Sequence, residues 1–202
     1  MFSIIKKGIA TLRSKGIKQT FYWFYFGYFK TNTFYLLKRE LSEEIPIIDN
    51  PQNIVVKKVP IEILKEIRES KKKMPMEFYC DSFDGAKTCF IAFVNGQPAH
   101  ISWVYFQEQS SNFFKLSEKE AELNYSVTLP EFRGLSIFRL VTANIFQWLK
   151  QNNYERMFAS PHSDNIASIK SLKRSGFKKY GEVRRGGFSR ILGKNFSKTG
   201  HC

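Results

Sequence analysis

The pattern of apolar and polar residues predicts alternating strands and helices from about residue 53 onward. Alternating or β-branched and aromatic-rich segments predict seven strands: 53–59, 88–94, 99–106, 121–129, 156–160, 177–184 and 188–192. Apolar residues at steps of three and four predict helices over 61–73, over 137–150, and between an Asp164 N-cap and Gly176. Asn95-Gly96 predicts a hairpin, so the order favours a mixed α/β (α+β) fold over regular βαβ repetition.

The strand over 121–129 carries a clear two-residue alternation. We expect three apolar side chains on one face and four polar ones on the other: Leu123, Tyr125 and Val127, against Glu122, Asn124, Ser126 and Thr128.

The N-terminal segment is aromatic and basic. Its longest uncharged stretch, 19–29, would span about 16 Å as a helix, roughly half a bilayer core, and is too short to cross a membrane. Basic residues precede an aromatic run without a small-residue cleavage site, so we expect no signal-peptide removal. Two prolines and three acids in 42–52 mark a boundary. We therefore predict an arm over 1–50, a domain over 51–195 and a tail over 196–202.

Charge is concentrated at both ends of the chain. The net charge is +14, of which residues 1–40 carry +7, and ten basic residues lie in 170–198. Aromatic rings among Lys and Arg suit an anionic membrane surface. Folding back onto the domain, pairing with a second chain, and stacking on single-stranded nucleic acid are the alternatives for the arm.

Cysteine and histidine spacing indicates no metal site. The three cysteines form no CxxC pair, and the three histidines (His100, His162 and His201) lie far apart. Scattered thiols are typical of a reducing compartment, so we expect a cytoplasmic protein.

The stretch 128–138 combines a strand end, a turn around Gly134 and a helix start. Such a junction presents unpaired backbone N–H groups and the positive end of a helix dipole, which bind phosphate or pyrophosphate. Neither GxxxxGK[ST] nor GxGxxG is present, so this is neither a Walker A loop nor a dinucleotide fingerprint. An ordinary helix start with a tight turn is the alternative.

Two motifs resemble those of the GNAT acyltransferase superfamily. T-L-P-E-F-R-G-L-S-I-F at 128–138 is similar to the family's acetyl-coenzyme A signature, V-x-P-x-x-[RQ]-G-x-G-[IL]-[GA]. Asn165-Ile166-Ala167-Ser168, followed by Gly176-Phe177, is similar to the second motif, N-x-x-[AS] leading to G-F. The resemblance covers about 53–193. It implies the GNAT fold, a mixed and mostly antiparallel central sheet flanked by helices, here preceded by a basic, aromatic, helical arm.

The resemblance implies acetyl-CoA (coenzyme A) as co-substrate. The strand before the loop would bind the pantetheine arm, the loop the pyrophosphate, and Asn165 the pantetheine or a phosphate. Ser136 and Phe138 stand where the signature has a glycine and a small residue, so the loop is bulkier. The expected cofactor-binding residues are Ser126, Val127, Thr128, Arg133, Gly134, Leu135, Ser136, Ile137, Phe138, Asn165 and Ser168.

Direct acyl transfer to an amine requires a base for the amine and stabilisation of the leaving thiolate. Glu122 lies eleven residues before Arg133, where some protein-lysine acetyltransferases of the superfamily have their catalytic glutamate. A solvent-facing strand glutamate is the alternative. His162 is a second catalytic candidate, with a loop histidine capping the next helix as the alternative. The tyrosine that often serves as general acid in the family is Leu172 here.

The resemblance therefore implies direct acetyl transfer from acetyl-CoA to a primary amine of a small molecule. Bacterial members with a similar arm and loop act on amino-sugar or surface-glycan precursors, and such an arm would suit the inner membrane face. Two alternatives are open: a catalytically silent module that binds CoA or a partner, favoured by Leu172, and a protein or peptide N-acetyltransferase, favoured by Glu122. Nucleic acid is not an expected partner.

Overall fold

The computed structural model describes residues 31–50, 54–71, 73–109 and 113–185, and six residues outside those ranges: Ile17, Lys18, Phe21, Tyr25, Lys198 and Thr199. The chain forms two compact units. The larger comprises Leu36–Pro161 and Asn165–Tyr180, and the smaller comprises Met1–Tyr35, His162–Asp164 and Gly181–Cys202.

The described residues form eight strands and four α-helices. The strands are β1 (Asn32–Glu40), β2 (Val55–Val59), β3 (Thr88–Val94), β4 (Gln97–Tyr105), β5 (Glu120–Thr128), β6 (Arg156–Ala159), β7 (Lys178–Arg185) and β8 (Lys198–Thr199). The helices are α1 (Ile61–Glu69), α2 (Cys80–Asp84), α3 (Ile137–Gln151) and α4 (Ile166–Arg174), with 3₁₀ turns at Met76–Tyr79 and Pro130–Phe132.

The larger unit is built on one mixed sheet. Its seven strands lie in the order β2-β3-β4-β5-β6-β1-β7. Neighbours β2/β3, β3/β4, β4/β5 and β1/β6 are antiparallel, whereas β5 and β6 are parallel. The predicted mixed, mostly antiparallel sheet flanked by helices is confirmed. Within the smaller unit, β8 pairs with β7 through Glu182 and Val183.

Apolar side chains cover both faces of the sheet. One face packs on α1 and the turn at Met76–Tyr79, around the fully buried Leu64, Phe78 and Trp103. The other face packs on α3, whose buried residues recur at helical spacing: Ile137, Val141, Ile145, Phe146 and Leu149. Helix α3 therefore packs on the sheet along this stripe.

A β-bulge interrupts the pairing of β5 with β4. The register pairs Trp103 with Asn124 and Ile101 with Val127, so two residues of β5 lie opposite one residue of β4. Tyr125 sits at the irregularity with φ 38°, in the left-handed region. The bulge therefore adds one residue to β5 and bends the strand at that point.

The bulge changes which side chains share a face. Val104 and His100 lie four positions apart on β4 and so on one face, and they pair with Leu123 and Thr128. Ser126, two positions before Thr128, lies on that face too. This is the face covered by α3.

Glu122 lies on the opposite face. It pairs with Tyr105, and Asn124 pairs with Trp103, both on the α1 side of the sheet. The prediction that all four polar side chains of β5 share a face is therefore wrong: Glu122 and Asn124 are separated from Ser126 and Thr128 by the sheet. The sequence alternation is regular, and the extra residue at the bulge reverses it.

The sheet includes a strand from the segment assigned by sequence to the arm. Residues 36–50 belong to the larger unit. In β1, Leu37 and Arg39 pair with Ala159 and Met157 of β6. Leu37 is fully buried because β1 is an internal strand of the sheet. Pro46, at the expected boundary, thus lies in a connection between two strands of one sheet.

Arg39 joins β1 to the end of α4. Its side chain is 3% exposed, and Nη1 donates to the Ser175 carbonyl at 3.0 Å while the guanidinium lies 4.7 Å from the Phe146 ring centroid. Burial lowers the pKa of Arg39 from its usual value, with Glu43 opposing the shift. Gly176, the residue after Ser175, has φ 90°, and a Cβ at this position would overlap Arg39 Nη1. The glycine of the second motif is therefore required by both conformation and space.

Several boundaries differ from prediction by a few residues. Helix α1 ends at Glu69 rather than residue 73. The N-cap of α4 is Asn165, whose Oδ1 accepts from the Ser168 N–H at 3.1 Å, and not Asp164. The expected strand over 188–192 lies outside the described residues.

Within 1–30, the structure describes four residues: Ile17, Lys18, Phe21 and Tyr25. Ile17, Phe21 and Tyr25 are helical and largely exposed. Among the described residues no helix is long and apolar enough to cross a membrane.

Candidate active site

A cleft of about 570 Å³ opens in the larger unit. The end of β5, the loop after it, and the first turns of α3 and α4 form its walls. Nine of the eleven predicted cofactor-binding residues line it: Ser126, Thr128, Arg133, Gly134, Ser136, Ile137, Phe138, Asn165 and Ser168. Two motifs separated by about thirty residues in sequence thus meet at one site.

The cleft opens where β5 loses one neighbour. Strands β5 and β6 pair from Glu120 with Arg156 to Leu123 with Ala159, where β6 ends. The rest of β5 continues beside β4 alone. Beyond Leu123 this edge of β5 therefore has no paired strand in the described part of the chain. Apart from the Tyr125 N–H, which donates to Asn124 Oδ1, its outward backbone groups can bind a ligand as a neighbouring strand would.

The loop after β5 turns sharply into α3. Gly134 has φ 87° and Ser136, the N-cap of α3, has φ 55°. A Cβ at Gly134 would meet nothing within 4 Å, so this side of the loop faces open space. The Ser136 side chain makes no capping hydrogen bond. Because the first N–H groups of a helix lack intrahelical partners, the start of α3 suits an anion.

The charge of the cleft is positive. Arg133, Arg139 and Arg174 line it, and no Asp or Glu is found among its described lining residues. Arg139 Nε is buried without a hydrogen-bond partner in the described part of the chain. A buried donor without an acceptor is costly, so a ligand oxygen at this place would be stabilising. Three arginines and two helix N-termini fit a pyrophosphate or several phosphates.

The sequence did not single out the residues at the base of the cleft. His100 is 1% exposed, and its Nδ1 lies 2.7 Å from Thr128 Oγ1 while its Nε2 lies 2.7 Å from Ser102 Oγ. Ser102 Oγ lies 2.8 Å from Ser126 Oγ. Burial lowers the pKa of His100 to about 3, so the imidazole is neutral. The alternation of His100 and Ser102 with apolar residues of β4 was the available signal.

Arg139 and Ser171 are further lining residues without a sequence prediction as cofactor ligands. Arg174 also lines the cleft; the resemblance implies that it, Lys170 or Lys173 could meet the 3′-phosphate of coenzyme A, with a solvated helix face as the alternative. Conversely, Val127 and Leu135 are absent from the described lining. Val127 packs against the cluster on the α1 side, because it lies on the other face of β5 from Thr128.

Glu122 is fully buried, so the alternative of a solvent-facing glutamate is wrong. Ser160 Oγ donates to its Oε1 at 3.2 Å. The ring of Tyr180 lies 6.1 Å from that of Phe158, the β6 partner of Glu122. Burial and the charges of Glu120 and Glu122 raise the pKa of Tyr180 to about 12. Glu122 therefore lies in a polar and aromatic cluster, outside the described lining of the cleft.

His162 belongs to the smaller unit. Its Nδ1 accepts from the Asp164 N–H at 3.1 Å, and its Nε2 lies 3.0 Å from Asn32 Oδ1. The ring packs edge-on against Phe34. Since Nδ1 accepts, Nε2 carries the hydrogen and donates to Asn32, so both ring nitrogens are bonded within this unit.

Two positions bear on the source of a general acid. Leu172, at the position of the family's tyrosine, is buried at 3% exposure. Tyr125 packs edge-on against Phe83 and tilted against Tyr105 on the α1 side. No tyrosine is among the described residues that line the cleft, whose hydroxyl groups all come from serine and threonine. The described residues also contain no group of three metal-binding side chains.

The mixed sheet, its opening between two parallel strands and the anion-binding loop define an acyltransferase-type fold. Residues 60–177 match the family model of the acetyltransferase (GNAT) family. The chain belongs to this family, as the two motifs indicated. No curated protein matches the chain by sequence.

Solved structures share the fold at low identity. An acetyltransferase of the GNAT family from Novosphingobium aromaticivorans has a TM-score of 0.53 at 13% identity, covering 76% of this chain and 62% of its own. A GNAT protein from Sphaerobacter thermophilus has a TM-score of 0.54 at 10% identity, and the match covers 86% of this chain and 57% of that protein. A glucosamine N-acetyltransferase region of a fungal multi-domain enzyme has a TM-score of 0.55 at 16% identity, and the match covers 85% of this chain and 22% of that protein. The chain thus spans less than two thirds of the length of these structures.

Proposed function

We propose that the protein is an acyl-CoA-dependent N-acyltransferase that transfers an acetyl group from acetyl-CoA to a primary amine of a small molecule. The observation that carries the proposal is the cleft with three arginines and no described carboxylate, at the starts of α3 and α4. The loop that resembles the GNAT signature forms one wall of this cleft. Fold and family support CoA-dependent acyl transfer, and the acceptor is our proposal.

The residues of the cleft fit coenzyme A. The loop from Arg133 and the start of α3 would hold the pyrophosphate, with Arg139 Nε as a buried donor. Asn165, Ser168 and Arg174 at α4 would meet further phosphate or pantetheine oxygens. The free edge of β5 would bond the pantetheine amides. These contacts bind and orient the donor without using any group as acid or base.

Bound acetyl-CoA supplies an activated acetyl group, and the chain has to manage two protons. The attacking amine must lose one as its N–C bond forms, and the thiolate released on C–S cleavage must gain one. We assign the first role to Glu122, reached through a water, because the resemblance implies a catalytic glutamate at this position and its carboxylate contacts Ser160, just beyond the end of β6 where the cleft opens. Leu172 removes the family's usual acid, so the thiolate would take its proton from a water or a cleft hydroxyl.

Calorimetry with CoA and acetyl-CoA tests binding, and a thiol-release assay over amino sugars, simple amines and peptides tests turnover. We expect CoA binding and turnover with a small amine. Absence of CoA binding would overturn the proposal. Binding without turnover on any amine would favour the catalytically silent module, and turnover on peptides alone would favour a protein or peptide N-acetyltransferase.

The amino-sugar or surface-glycan acceptor is proposed from the resemblance of the arm and loop to bacterial members. A membrane-facing arm would bring the enzyme to the cytoplasmic side, where such precursors are made. Sedimentation with anionic liposomes tests this: deletion of residues 1–31, which ends before β1, should reduce it and leave CoA binding intact. Equal sedimentation of both forms would remove the membrane proposal.

A further inference from the structure

Four side chains form one continuous hydrogen-bonded chain at the base of the cleft. It runs from Ser126 to Ser102, from Ser102 to His100 and from His100 to Thr128, with heavy-atom distances of 2.8, 2.7 and 2.7 Å. Both ends, Ser126 and Thr128, line the cleft, as does His100. The inner members, His100 and Ser102, are buried. We name this set the hydroxyl–histidine chain.

A neutral imidazole fixes the direction of such a chain. It has one N–H donor and one acceptor nitrogen, whereas each hydroxyl has one hydrogen and accepts with its oxygen. If Nε2 carries the hydrogen, it donates to Ser102, Ser102 donates to Ser126, and Thr128 donates to Nδ1. If Nδ1 carries the hydrogen, every bond reverses. A third arrangement, with hydrogen on Nε2 and both Nε2 and Ser126 donating to Ser102, leaves the hydrogen of the buried Ser102 hydroxyl outside the chain.

The two arrangements differ in what they present to the cleft. With hydrogen on Nε2, the Ser126 hydroxyl hydrogen is left over for a ligand, and Thr128 offers a lone pair. With hydrogen on Nδ1, Thr128 offers the hydrogen and Ser126 the lone pair. The two strand hydroxyls therefore cannot both donate to a ligand while the chain is intact.

We propose that His100 is a positioning residue whose tautomer sets which of the two hydroxyls, Ser126 or Thr128, donates a hydrogen bond into the coenzyme A cleft. This inference rests on the proposed function. The pantetheine arm of CoA carries secondary amides, each with one donor and one acceptor. Such a ligand matches a wall that offers a donor at one place and an acceptor at another, so its binding selects one tautomer.

The position of His100 keeps it neutral. Phe138 packs edge-on against the ring at 5.9 Å. The charged residues lining the same cleft are Arg133, Arg139 and Arg174, which would disfavour an imidazolium, and no described lining residue is acidic. Because the ring does not titrate near neutral pH, it serves here as a directional connector and not as a base.

Ring ¹⁵N NMR of the full chain tests the tautomer directly. We expect the His100 shifts to be those of a neutral imidazole throughout pH 5 to 8. Saturating CoA should move the Nδ1 and Nε2 shifts in opposite directions as one tautomer is selected. Titration of the ring in this range, or ring shifts unchanged by bound CoA, would overturn the proposal.

A double-mutant cycle on CoA affinity tests the coupling. Ser126→Ala and Thr128→Val should be non-additive by about threefold or more in Kd. The coupling should vanish when Ser102→Ala cuts the chain. Ser171→Ala, which removes a cleft hydroxyl outside the chain, is the matched control and should be additive with Thr128→Val. Additive Ser126 and Thr128 effects with intact Ser102 would overturn this inference alone, whereas absence of CoA binding by the wild-type protein would overturn it together with the proposed function.

Discussion

The two halves of β5 are built for different tasks. The first half, up to Leu123, is paired with parallel β6, and its residues Glu122 and Leu123 are paired with β4 as well. The second half is paired with β4 alone and contains the bulge at Tyr125. Glu122, in the first half, is fully buried on the α1 face, whereas Ser126 and Thr128, in the second, line the cleft.

This difference shows how one strand can serve two faces of a sheet. Doubly paired backbone is saturated with hydrogen bonds, so only its side chains remain for chemistry. Singly paired backbone keeps donors and acceptors for a ligand. The bulge lies between the two, and it moves the polar side chains from one face to the other. We therefore expect changes in the first half to affect turnover and changes in the second half to affect donor binding.

The largest expected effect comes from the first half. Glu122→Gln keeps the side-chain shape and an oxygen for the Ser160 hydroxyl but cannot accept the amine proton. If Glu122 is the base, kcat should fall by about 10²- to 10⁴-fold with the Kd of CoA unchanged. Steady-state kinetics and calorimetry on the same preparations measure both. An unchanged kcat would show that the first half of β5 has a structural role only.

Removal of the bulge should act mainly on donor binding. Deleting Tyr125 would place Ser126 opposite Ser102 in regular pairing and keep every polar side chain on its face, but would straighten the backbone. Loss of one backbone hydrogen bond to the ligand is worth about 1.4 kcal/mol, or about tenfold in CoA affinity.

Tyr125→Ala is the matched control for this deletion. Both variants lose the ring contacts with Phe83 and Tyr105, and only the deletion loses the bulge. Calorimetry should therefore show the tenfold difference between the two variants. Equal affinities would contradict a role of the bulge in binding.

The hydroxyl–histidine chain should make stability depend on pH. The pKa of His100 is lowered from 6.5 to about 3 in the folded protein, so the unfolded chain binds a proton first as the pH falls. The contribution of neutral His100 to the free energy of unfolding is therefore present above pH 6.5 and is lost as the pH falls from 6.5 to about 3. From pH 7 to pH 5 the loss is about 2 kcal/mol.

Urea unfolding at pH 7 and pH 5 measures this loss. His100→Gln is the control, because glutamine has a donor and an acceptor but does not titrate in this range. This variant should lack the part of the pH-dependent loss of unfolding free energy that His100 causes. If the variant and the wild-type protein lose the same free energy of unfolding, His100 is not the group responsible.

The smallest effect concerns the far wall of the cleft. Arg174→Ala should weaken CoA binding about fivefold at low salt and less at high salt, because exposed charge contacts are screened. Lys173→Ala removes a neighbouring exposed cation that is not among the described lining residues and should change the affinity less than twofold. Equal effects of both substitutions would indicate a general attraction to positive charge in place of a contact at Arg174.

Sequence reasoning located the loop and both helix starts because those features are local. The turn at Gly134 and the start of α4 depend on neighbouring residues, although the cap is Asn165, one residue after the predicted Asp164. The bulge could not be predicted, because it depends on how β5 pairs with β4 and leaves the alternation in the sequence intact. His100 was missed for the same reason: its partner Thr128 is distant in sequence, as is Ser126 at the other end of the chain through Ser102, and the pairing of β5 with β4 brings them together.

The N-terminal strand was missed for a different reason. Within β1, Leu36 and Leu37 are both buried because the strand is covered on both faces, so no alternation is visible beside the aromatic run. Prolines in 42–52 resembled a domain boundary. Only the pairing of β1 with β6 shows that this segment completes the sheet.

That pairing also governs when the sheet can close. Leu37 pairs with Ala159, 122 positions further along the chain. During synthesis the first strand of the sheet must remain without its partner until β6 has emerged, and such long-range pairing slows folding. Residues 36–40 would thus be a late-docking segment. A chaperone or a second nascent copy could pair with them before the sheet closes, which makes this short strand the part of the fold most open to domain exchange.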